Sequence, residues 1–173
     1  MRRLMLLRHA KSDRPAGVDD HERPLARRGR QDSTRMGRYM AAQSLRPDLA
    51  IVSTARRARE TWELARPAFD AQISQQDESR IYEASAASIL DVVHEADSSM
   101  HTLLLVGHNP GFHDLIIELI GTARKAELAR LRQKFPTAGL VVIDFDIDLW
   151  SQASMAGGRL ERFETPKSSG SGD

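Results

Sequence analysis

Residues 4–12, "LMLLRHAKS", form a short apolar run that ends at an arginine and a histidine. The apolar residues 4–7 have the length and bulk of a strand that is buried on both faces of a sheet. Polar side chains beside such a strand cost free energy unless they find partners. The run therefore predicts a central strand that holds Arg8 and His9 at its end, where both side chains need a role.

Two further apolar runs, residues 49–52 and 103–106, have the same character. The segments between the runs are amphipathic with the periodicity of helices, at residues 29–45, 58–65 and 88–96. A chain that alternates buried strands with helices is typical of a mostly parallel sheet with helices on both faces. We therefore expect an α/β protein.

The clearest helix prediction follows the third apolar run. Asn109 is expected to cap this helix, and Pro110 suits its first turn. The apolar residues that follow recur at i, i+3, i+4, i+7 and i+8, which is the spacing of one helix face: Phe112, Leu115, Ile116, Leu119 and Ile120.

The remainder of the chain predicts the edges of the sheet. Residues 71–75 are a candidate short strand, and residues 140–145 and 159–163 are expected to form an antiparallel edge. Residues 168–173, "SSGSGD", carry no apolar side chain and are expected to be disordered. The expected fold is a three-layer α/β/α sandwich, with a mostly parallel sheet and an antiparallel edge, in a single domain at residues 1–167.

Composition excludes several classes of function. The 173 residues suffice for one sizeable core, and 25 basic against 24 acidic residues favour neither nucleic acid nor a membrane as a partner. The chain has no cysteine, so disulfides and thiolate chemistry are excluded. The first apolar run is far too short for a secretory signal, and no run is long enough to span a bilayer. We expect a cytoplasmic protein and, without coiled-coil heptads, a monomer.

Polar residues follow all three predicted central strands. The first strand leads into Arg8 and His9, the second into Ser53 and "TARRAR", and the third into Gly107 and His108. In open α/β sheets, ligands bind beyond the carboxyl ends of the strands. Each residue alone is weak evidence, but their convergence from three distant segments predicts a binding site at this edge.

The arginines after the second strand break a local rule. Arg56, Arg57 and Arg59 lie in the first turn of a predicted helix, where the helix dipole disfavours cations. An anion held between the helix start and the guanidinium groups would remove the conflict. The alternative is that these side chains extend into water, and the dipole argument does not choose among the three.

Arginines and histidines around an anion favour phosphate, whose oxygens suit bidentate guanidinium groups. The chain has no GxxxxGK[ST] loop and no clustered carboxylates, which argues against P-loop and magnesium-dependent chemistry. We expect no metal and no cofactor. Histidine is then the expected nucleophile, since a neutral imidazole nitrogen can attack phosphorus while the cations stabilise the phosphoryl oxygens.

Three motifs carry a family resemblance: "LLRHAKS" at 6–12, "STARRARET" at 53–61 and "LLVGHNP" at 104–110. Together they resemble the histidine phosphatase superfamily, which has the phosphoglycerate-mutase-like fold. The segments "ERPLARRGR", "IYEAS" and "FPTAG" are similar to the small branch of SixA phosphohistidine phosphatases. The resemblance runs from about residue 3 to residue 145, with the motifs in the family's order.

The resemblance implies a role for each residue at the strand ends. His9 becomes the nucleophile that is transiently phosphorylated, and Arg8 becomes a phosphate ligand. The family arginine falls on Arg57, and His108 becomes the second histidine, a donor to the phosphoryl oxygens. The usual glycine after the Arg-His pair is Ala10 here, which is a mild departure.

The resemblance also implies a general acid, because larger relatives carry a Glu or Asp on a loop after the third strand. The nearest candidate is Glu83 in "IYEAS", and the alternative is an exposed carboxylate without a catalytic role. An alkoxide leaving group needs a proton at departure, whereas the imidazole of phosphohistidine is far less basic. Lys11 and Arg23 are plausible members of a positive rim.

We therefore expect a metal-independent phosphatase with a phosphohistidine intermediate, acting on a phosphohistidine-bearing protein. One alternative is a phosphatase or mutase for a small phosphorylated metabolite, with hydrolysis favoured because little sequence is left for a water-excluding lid. The other is a binding module for phosphate or phosphoproteins that has lost turnover. His9 and His108 argue against the last, since binding alone needs no nucleophile.

Overall fold

The computed structural model describes residues 1–169 and contains one sheet with helices packed against it. The strands are β1 (Arg2–Arg8), β2 (Leu49–Ser53), β3 (Ser74–Glu78), β4 (Thr102–Gly107), β5 (Ile120–Thr122), β6 (Leu140–Phe145) and β7 (Gly158–Glu164). The helices are α1 (Arg27–Ala42), α2 (Arg56–Ala65), α3 (Ala86–His94), α4 (Gly111–Leu119), α5 (Lys125–Gln133) and α6 (Pro166–Ser169). Short 3-10 turns lie at Asp20–Glu22, Arg66–Ala68, Ser79–Ile81 and Trp150–Gln152.

The strand order is β3-β2-β4-β1-β6-β7-β5. Strands β1, β2, β3 and β4 pair in parallel, and β6 pairs antiparallel with both β1 and β7. In this register Leu6 lies between Leu105 of β4 and Val141 of β6. The predicted α/β architecture is confirmed, and the first apolar run is a central strand as expected. β5 pairs in parallel with β7 and is an edge strand that the sequence did not predict.

The apolar side chains of β1 alternate between two cores. Leu4 and Leu6 belong to the core that contains Phe112 of α4, whereas Met5 and Leu7 belong to the core that contains Trp62 of α2. All four β1 side chains are fully buried, and burying each contributes about 1.5–3 kcal/mol. This double burial fixes β1 in the centre of the sheet, so the groups at its end are rigidly placed.

The helix after β4 begins later than predicted. It begins at Gly111, Pro110 occupies the capping position, and no side chain caps the helix. Asn109 was expected to be the cap, but its Nδ2 donates to the carbonyl oxygen of Phe135 at 2.9 Å. A long-range contact therefore takes the amide group that the local pattern assigned to the helix end.

Other differences lie where the apolar pattern is weak. The strand expected at residues 71–75 is β3, at Ser74–Glu78, whose polar side chains are mostly exposed because it is an edge strand. Helix α5 was not predicted, since Leu131 is its one buried residue. Of the segment expected to be disordered, Ser168 and Ser169 lie in α6, and residues 170–173 lie outside the described residues. Within residues 1–169, no helix is long and apolar enough to cross a membrane.

Candidate active site

A cavity of about 630 Å³ lies at the carboxyl ends of β1, β2 and β4. Its lining includes all five residues that the sequence singled out for the site: Arg8, His9, Arg57, Glu83 and His108. A larger groove, of about 1130 Å³, runs along α1 and β7. The histidines and their cationic neighbours, rather than size, mark the smaller cavity as the candidate active site.

His9 is held as a neutral imidazole. Its side chain is buried, and Nδ1 lies 2.8 Å from the carbonyl oxygen of Ala10. A carbonyl oxygen only accepts, so Nδ1 carries the proton and Nε2 keeps a lone pair. Burial lowers the pKa of His9 from its ordinary value of 6.5 to about 3, with smaller contributions from nearby arginines. A neutral ring with a free Nε2 lone pair is the form that attacks phosphorus.

His108 lies beside His9, with the two ring centroids 5.1 Å apart. Its Nε2 is 2.7 Å from the hydroxyl oxygen of Ser53, which brings the ends of β4 and β2 together. The pKa of His108 is lowered to about 3, mainly by burial and to a smaller extent by the neighbouring His9. Its Nδ1 is buried and has no hydrogen-bond partner among residues 1–169. A phosphoryl group in the cavity would favour the protonated ring, because a nearby anion raises the pKa of histidine.

Two arginines border the same cavity with unused donors. Arg8 donates from Nη1 to the carbonyl oxygen of Phe135 at 3.1 Å, and burial lowers its pKa. In the described part of the chain, the buried Nε atoms of Arg8 and Arg57 have no partner. Arg8 uses one of its five N–H donors in the contact with Phe135 and Arg57 uses two, so both guanidinium groups keep N–H donors for a charged acceptor in the cavity. The arrangement is suited to an oxyanion.

The structure separates the three arginines that begin α2. Arg57 is 6% exposed and lines the cavity, whereas Arg56 is exposed and pairs with Glu60 at 3.2 Å. Arg59 donates from Nε to the carbonyl oxygen of Thr54 at 2.9 Å. The side chains of Arg56 and Arg59 are therefore held outside the cavity, and Arg57 is the one placed to contact an anion.

Close backbone packing holds the strand ends in place. The Ala10 N–H donates to the hydroxyl oxygen of Thr61 at 3.0 Å, and that hydroxyl donates to the Arg57 carbonyl oxygen at 2.7 Å. Thr61 thus joins the loop after β1 to helix α2. At Gly107, a Cβ atom would lie 2.7 Å from the ring of Phe112, so this position requires the absence of a side chain.

Asp20 and Tyr82 are cavity residues that the sequence reasoning missed. The Asp20 carboxylate accepts hydrogen bonds from Arg57 Nη2, Arg23 Nη1 and the Tyr82 hydroxyl. The Tyr82 bond is the largest cause that holds the pKa of Asp20 well below its usual range. The pKa of Tyr82 is raised, mainly by burial and then by Asp20. No local signal distinguished Asp20 from the other acidic residues, because its partners Arg57 and Tyr82 come from distant segments.

Glu83 lies in the lining of the cavity and is exposed. Its backbone has φ of 51°, a left-handed conformation that residues other than glycine rarely adopt and that costs about 1–3 kcal/mol. The structure therefore brings the predicted acid to the cavity, although Glu83 is less buried than the histidines. Lys11 and Arg23, predicted as rim cations, and Arg14 also line the cavity and give it an excess of positive charge.

The residues present suit an anion better than a metal ion. Among residues 1–169, no group of three or more His, Asp or Glu side chains is arranged to hold a metal. Asp20 and Glu83 are the carboxylates in the cavity lining, and the Asp20 oxygens accept from two arginines and a tyrosine. The cationic groups instead provide the donors that an oxyanion needs.

Comparisons with known proteins identify relatives. The model of the histidine phosphatase superfamily (branch 1) matches residues 4–88. An uncharacterized protein of Mycobacterium tuberculosis is 37% identical over 139 residues, which cover 79% of this chain and 85% of that protein.

Solved structures show the same fold over the whole length. The putative phosphohistidine phosphatase SixA from Agrobacterium tumefaciens has a TM-score of 0.81 and 31% identity, covering 95% of this chain and 98% of that one. The putative phosphohistidine phosphatase SixA from Nakamurella multipartitia has a TM-score of 0.84 and 25% identity, covering 95% and 96%. The phosphoglycerate-mutase-like α/β fold expected from the sequence is thereby confirmed.

Proposed function

This chain belongs to the histidine phosphatase superfamily, and on that premise we propose that it hydrolyses protein phosphohistidine through a phosphohistidine intermediate at His9. The observation that carries the proposal is the state of His9, which is buried, neutral and protonated on Nδ1, so that Nε2 is free to attack. Arg8, Arg57 and His108 line the same cavity, and the two guanidinium groups keep N–H donors for phosphoryl oxygens.

The reaction proceeds in two displacements. Nε2 of His9 attacks phosphorus, a new P–N bond forms, and the P–N bond of the substrate breaks with its electron pair left on the substrate imidazole, which takes up a proton. Water then attacks phosphorus, the bond to Nε2 breaks with its electron pair left on His9, and inorganic phosphate leaves. The water releases a proton, which balances the proton taken up by the substrate imidazole. The first step exchanges one P–N bond for another and is near thermoneutral. Arg8, Arg57 and His108 stabilise the charge on the equatorial oxygens, and no metal ion is required for this.

The surroundings of the cavity support a protein phosphohistidine as the substrate. Glu83 is the candidate acid and is exposed, and Asp20 is ionised and therefore cannot donate a proton. An imidazole leaving group makes a smaller demand on an acid than an alkoxide does. The rim residues Lys11 and Arg14 are exposed cations, which suit an acidic protein surface around the phosphorylated histidine.

A small phosphoester is the second candidate substrate. The observation that favours it is the position of Glu83 in the cavity lining, since a carboxylic acid there could protonate a departing alkoxide. A module that only binds phosphate is less consistent with the site, because binding does not require the neutral nucleophile at His9.

The test is to trap the intermediate. The protein is incubated with a metal chelator and either a phosphohistidine-bearing protein or a panel of small phosphoesters. Intact mass then detects an acid-labile phosphoryl group on the enzyme. We expect a phosphoenzyme with the phosphohistidine protein and faster turnover of that substrate than of any ester. His9→Ala is expected to abolish both the phosphoenzyme and the turnover of substrate.

His101→Gln is the matched control, since this exposed histidine precedes β4 at the opposite end of the sheet. The control is expected to behave as wild type. Undiminished hydrolysis by His9→Ala would refute the mechanism. Faster turnover of an ester would favour the second substrate class, and phosphate binding without any turnover would favour the binding module.

A further inference from the structure

Asp20 lies at the junction of three segments around the cavity. It belongs to the loop at residues 13–24, which we call the mouth loop, and it contacts Arg57 of α2 and Tyr82 after β3. We infer that Asp20 is a positioning residue, which holds the Arg57 guanidinium against the phosphate site and joins it to Tyr82. This inference rests on the proposed phosphatase function.

Two hydrogen bonds hold Arg57. Its Nη1 donates to the backbone carbonyl oxygen of Asp20 at 2.7 Å, and its Nη2 donates to Oδ2 of the same residue at 3.0 Å. Because the two bonds leave from different nitrogens of one planar group, they fix the rotation of the guanidinium as well as its position. A single residue thus sets the orientation of a buried cation at the cavity wall.

Asp20 is itself held from two other directions. The Tyr82 hydroxyl donates to Oδ2 at 2.6 Å, and Arg23 Nη1 donates to Oδ1 at 2.9 Å. Arg23 also donates to the hydroxyl of Ser12 and the carbonyl oxygen of Asp13, so it ties Asp20 to the start of the mouth loop. The loop is closed at its base, where the Asp13 N–H donates to the Pro24 carbonyl oxygen at 2.9 Å.

The hydrogen bonds between Asp20 and Arg57 leave Arg57 able to bind an anion. A guanidinium has five N–H donors, and Asp20 takes one from each Nη atom, so each Nη atom keeps a second hydrogen for an oxyanion. The Asp20 carboxylate also accepts from both Arg23 and Arg57, and it reduces the mutual repulsion of these two cations. Without this carboxylate, Arg57 would keep only the bond to the Asp20 carbonyl oxygen, and its guanidinium could rotate about that single contact.

The test compares Asp20→Asn with Asp19→Asn. Asp19 is the adjacent residue, is exposed and has no side-chain hydrogen bond to the turn that follows it, so its substitution makes the same charge change nearby. Turnover of a phosphohistidine-bearing protein, the affinity for inorganic phosphate and the melting temperature are measured for each. Tyr82→Phe and the double variant Asp20→Asn/Tyr82→Phe complete a double-mutant cycle. Tyr82→Phe removes a hydrogen bond to Asp20 without changing the charge.

We expect Asp20→Asn to lower kcat by about 10-fold or more, since a misplaced catalytic group costs up to about 100-fold. The kcat of Asp19→Asn is expected to stay within about twofold of the wild-type value. Tyr82→Phe should lower kcat less, and the double variant should lose no more than Asp20→Asn alone, because both residues act through Arg57. If Asp20→Asn has an unchanged or raised kcat and the melting temperature of the wild type, the inference is overturned. Asp20 would then restrict access of the anion to Arg57.

Two further measurements test the inference if the first variant does not fold or if the wild type shows no turnover. If Asp20→Asn does not fold, Tyr82→Phe decides alone, and an unchanged kcat overturns the positioning role. If the wild type turns over no substrate, the proposed function fails. The inference is then judged on inorganic phosphate, whose dissociation constant should rise about threefold or more in Tyr82→Phe; an equal constant would overturn it.

Discussion

The rings of His9 and His108 lie 5.1 Å apart, centroid to centroid, although one follows β1 and the other follows β4. The two strands are parallel neighbours, with Arg8 in register with Gly107, so their ends are brought to the same edge. Both rings are buried and neutral near pH 7, because burial lowers each pKa to about 3. In the proposed mechanism, His9 is the nucleophile, and His108 gains a proton when an anion is bound beside it.

Protonation of these histidines should destabilise the fold as the pH falls. Both have a folded-state pKa of about 3, below the ordinary 6.5, so between these values the unfolded chain binds more protons. From pH 7 to pH 5, we expect each histidine to lower the free energy of unfolding by about 2 kcal/mol. Denaturant unfolding at both pH values measures this, and His9→Gln should show the smaller loss. If the free energy of unfolding falls equally in the wild type and in His9→Gln, the buried, neutral state of His9 is contradicted.

Substitution of Arg57 should affect catalysis, whereas substitution of its neighbours should not. Arg57→Gln removes a fixed donor from the phosphate site and should reduce kcat/KM by about 100-fold or more. Arg56→Gln and Arg59→Gln make the same charge change on side chains held outside the cavity. Their kcat/KM should remain within about twofold of the wild-type value. Steady-state kinetics on one substrate compares the three. Similar losses in all three would mean that only the summed positive charge matters.

Glu83→Gln should separate the two substrate classes. If the carboxylic acid protonates leaving groups, hydrolysis of an alkyl phosphoester should slow by about 100-fold, because an alkoxide needs that proton. Hydrolysis of phosphohistidine should slow much less, since imidazole is far less basic. Parallel kinetics on the two substrates tests the difference, and an equal slowing of both would refute a role for Glu83 as a leaving-group acid.

Gly107→Ala should destabilise the protein. A Cβ atom at this position would lie 2.7 Å from the Phe112 ring, which is fully buried, and such overpacking costs about 1–3 kcal/mol. Urea unfolding measures the loss. Combining the substitution with Phe112→Leu, which reduces the ring to a smaller side chain, should make the two losses less than additive. Strict additivity would show that Phe112 is not the group that excludes a side chain at residue 107.

Much of the fold could be predicted because its central strands carry continuous apolar runs. Strands β1, β2 and β4 and helices α1 and α2 have strong patterns, and all lie close to their predicted positions. The predicted bounds were shifted in the edge strand β3, and helix α5 was missed, because burial in both is slight. The predicted helix cap was wrong at Asn109, where the distant Phe135 carbonyl takes the amide group. Local patterns carry no information about such partners.

The sequence by itself determined which side chains follow the buried strands, and hence that Arg8, His9 and His108 meet at one edge of the sheet, since parallel strands align their carboxyl ends. It did not distinguish Arg57 from Arg56 and Arg59 without the family motif. The tertiary structure distinguishes Arg57 by its burial without the motif, and only the tertiary structure brings Asp20 and Tyr82 together with it. The physical reason is that burial, pKa shifts and long-range hydrogen bonds depend on neighbours in space, which no local spacing specifies.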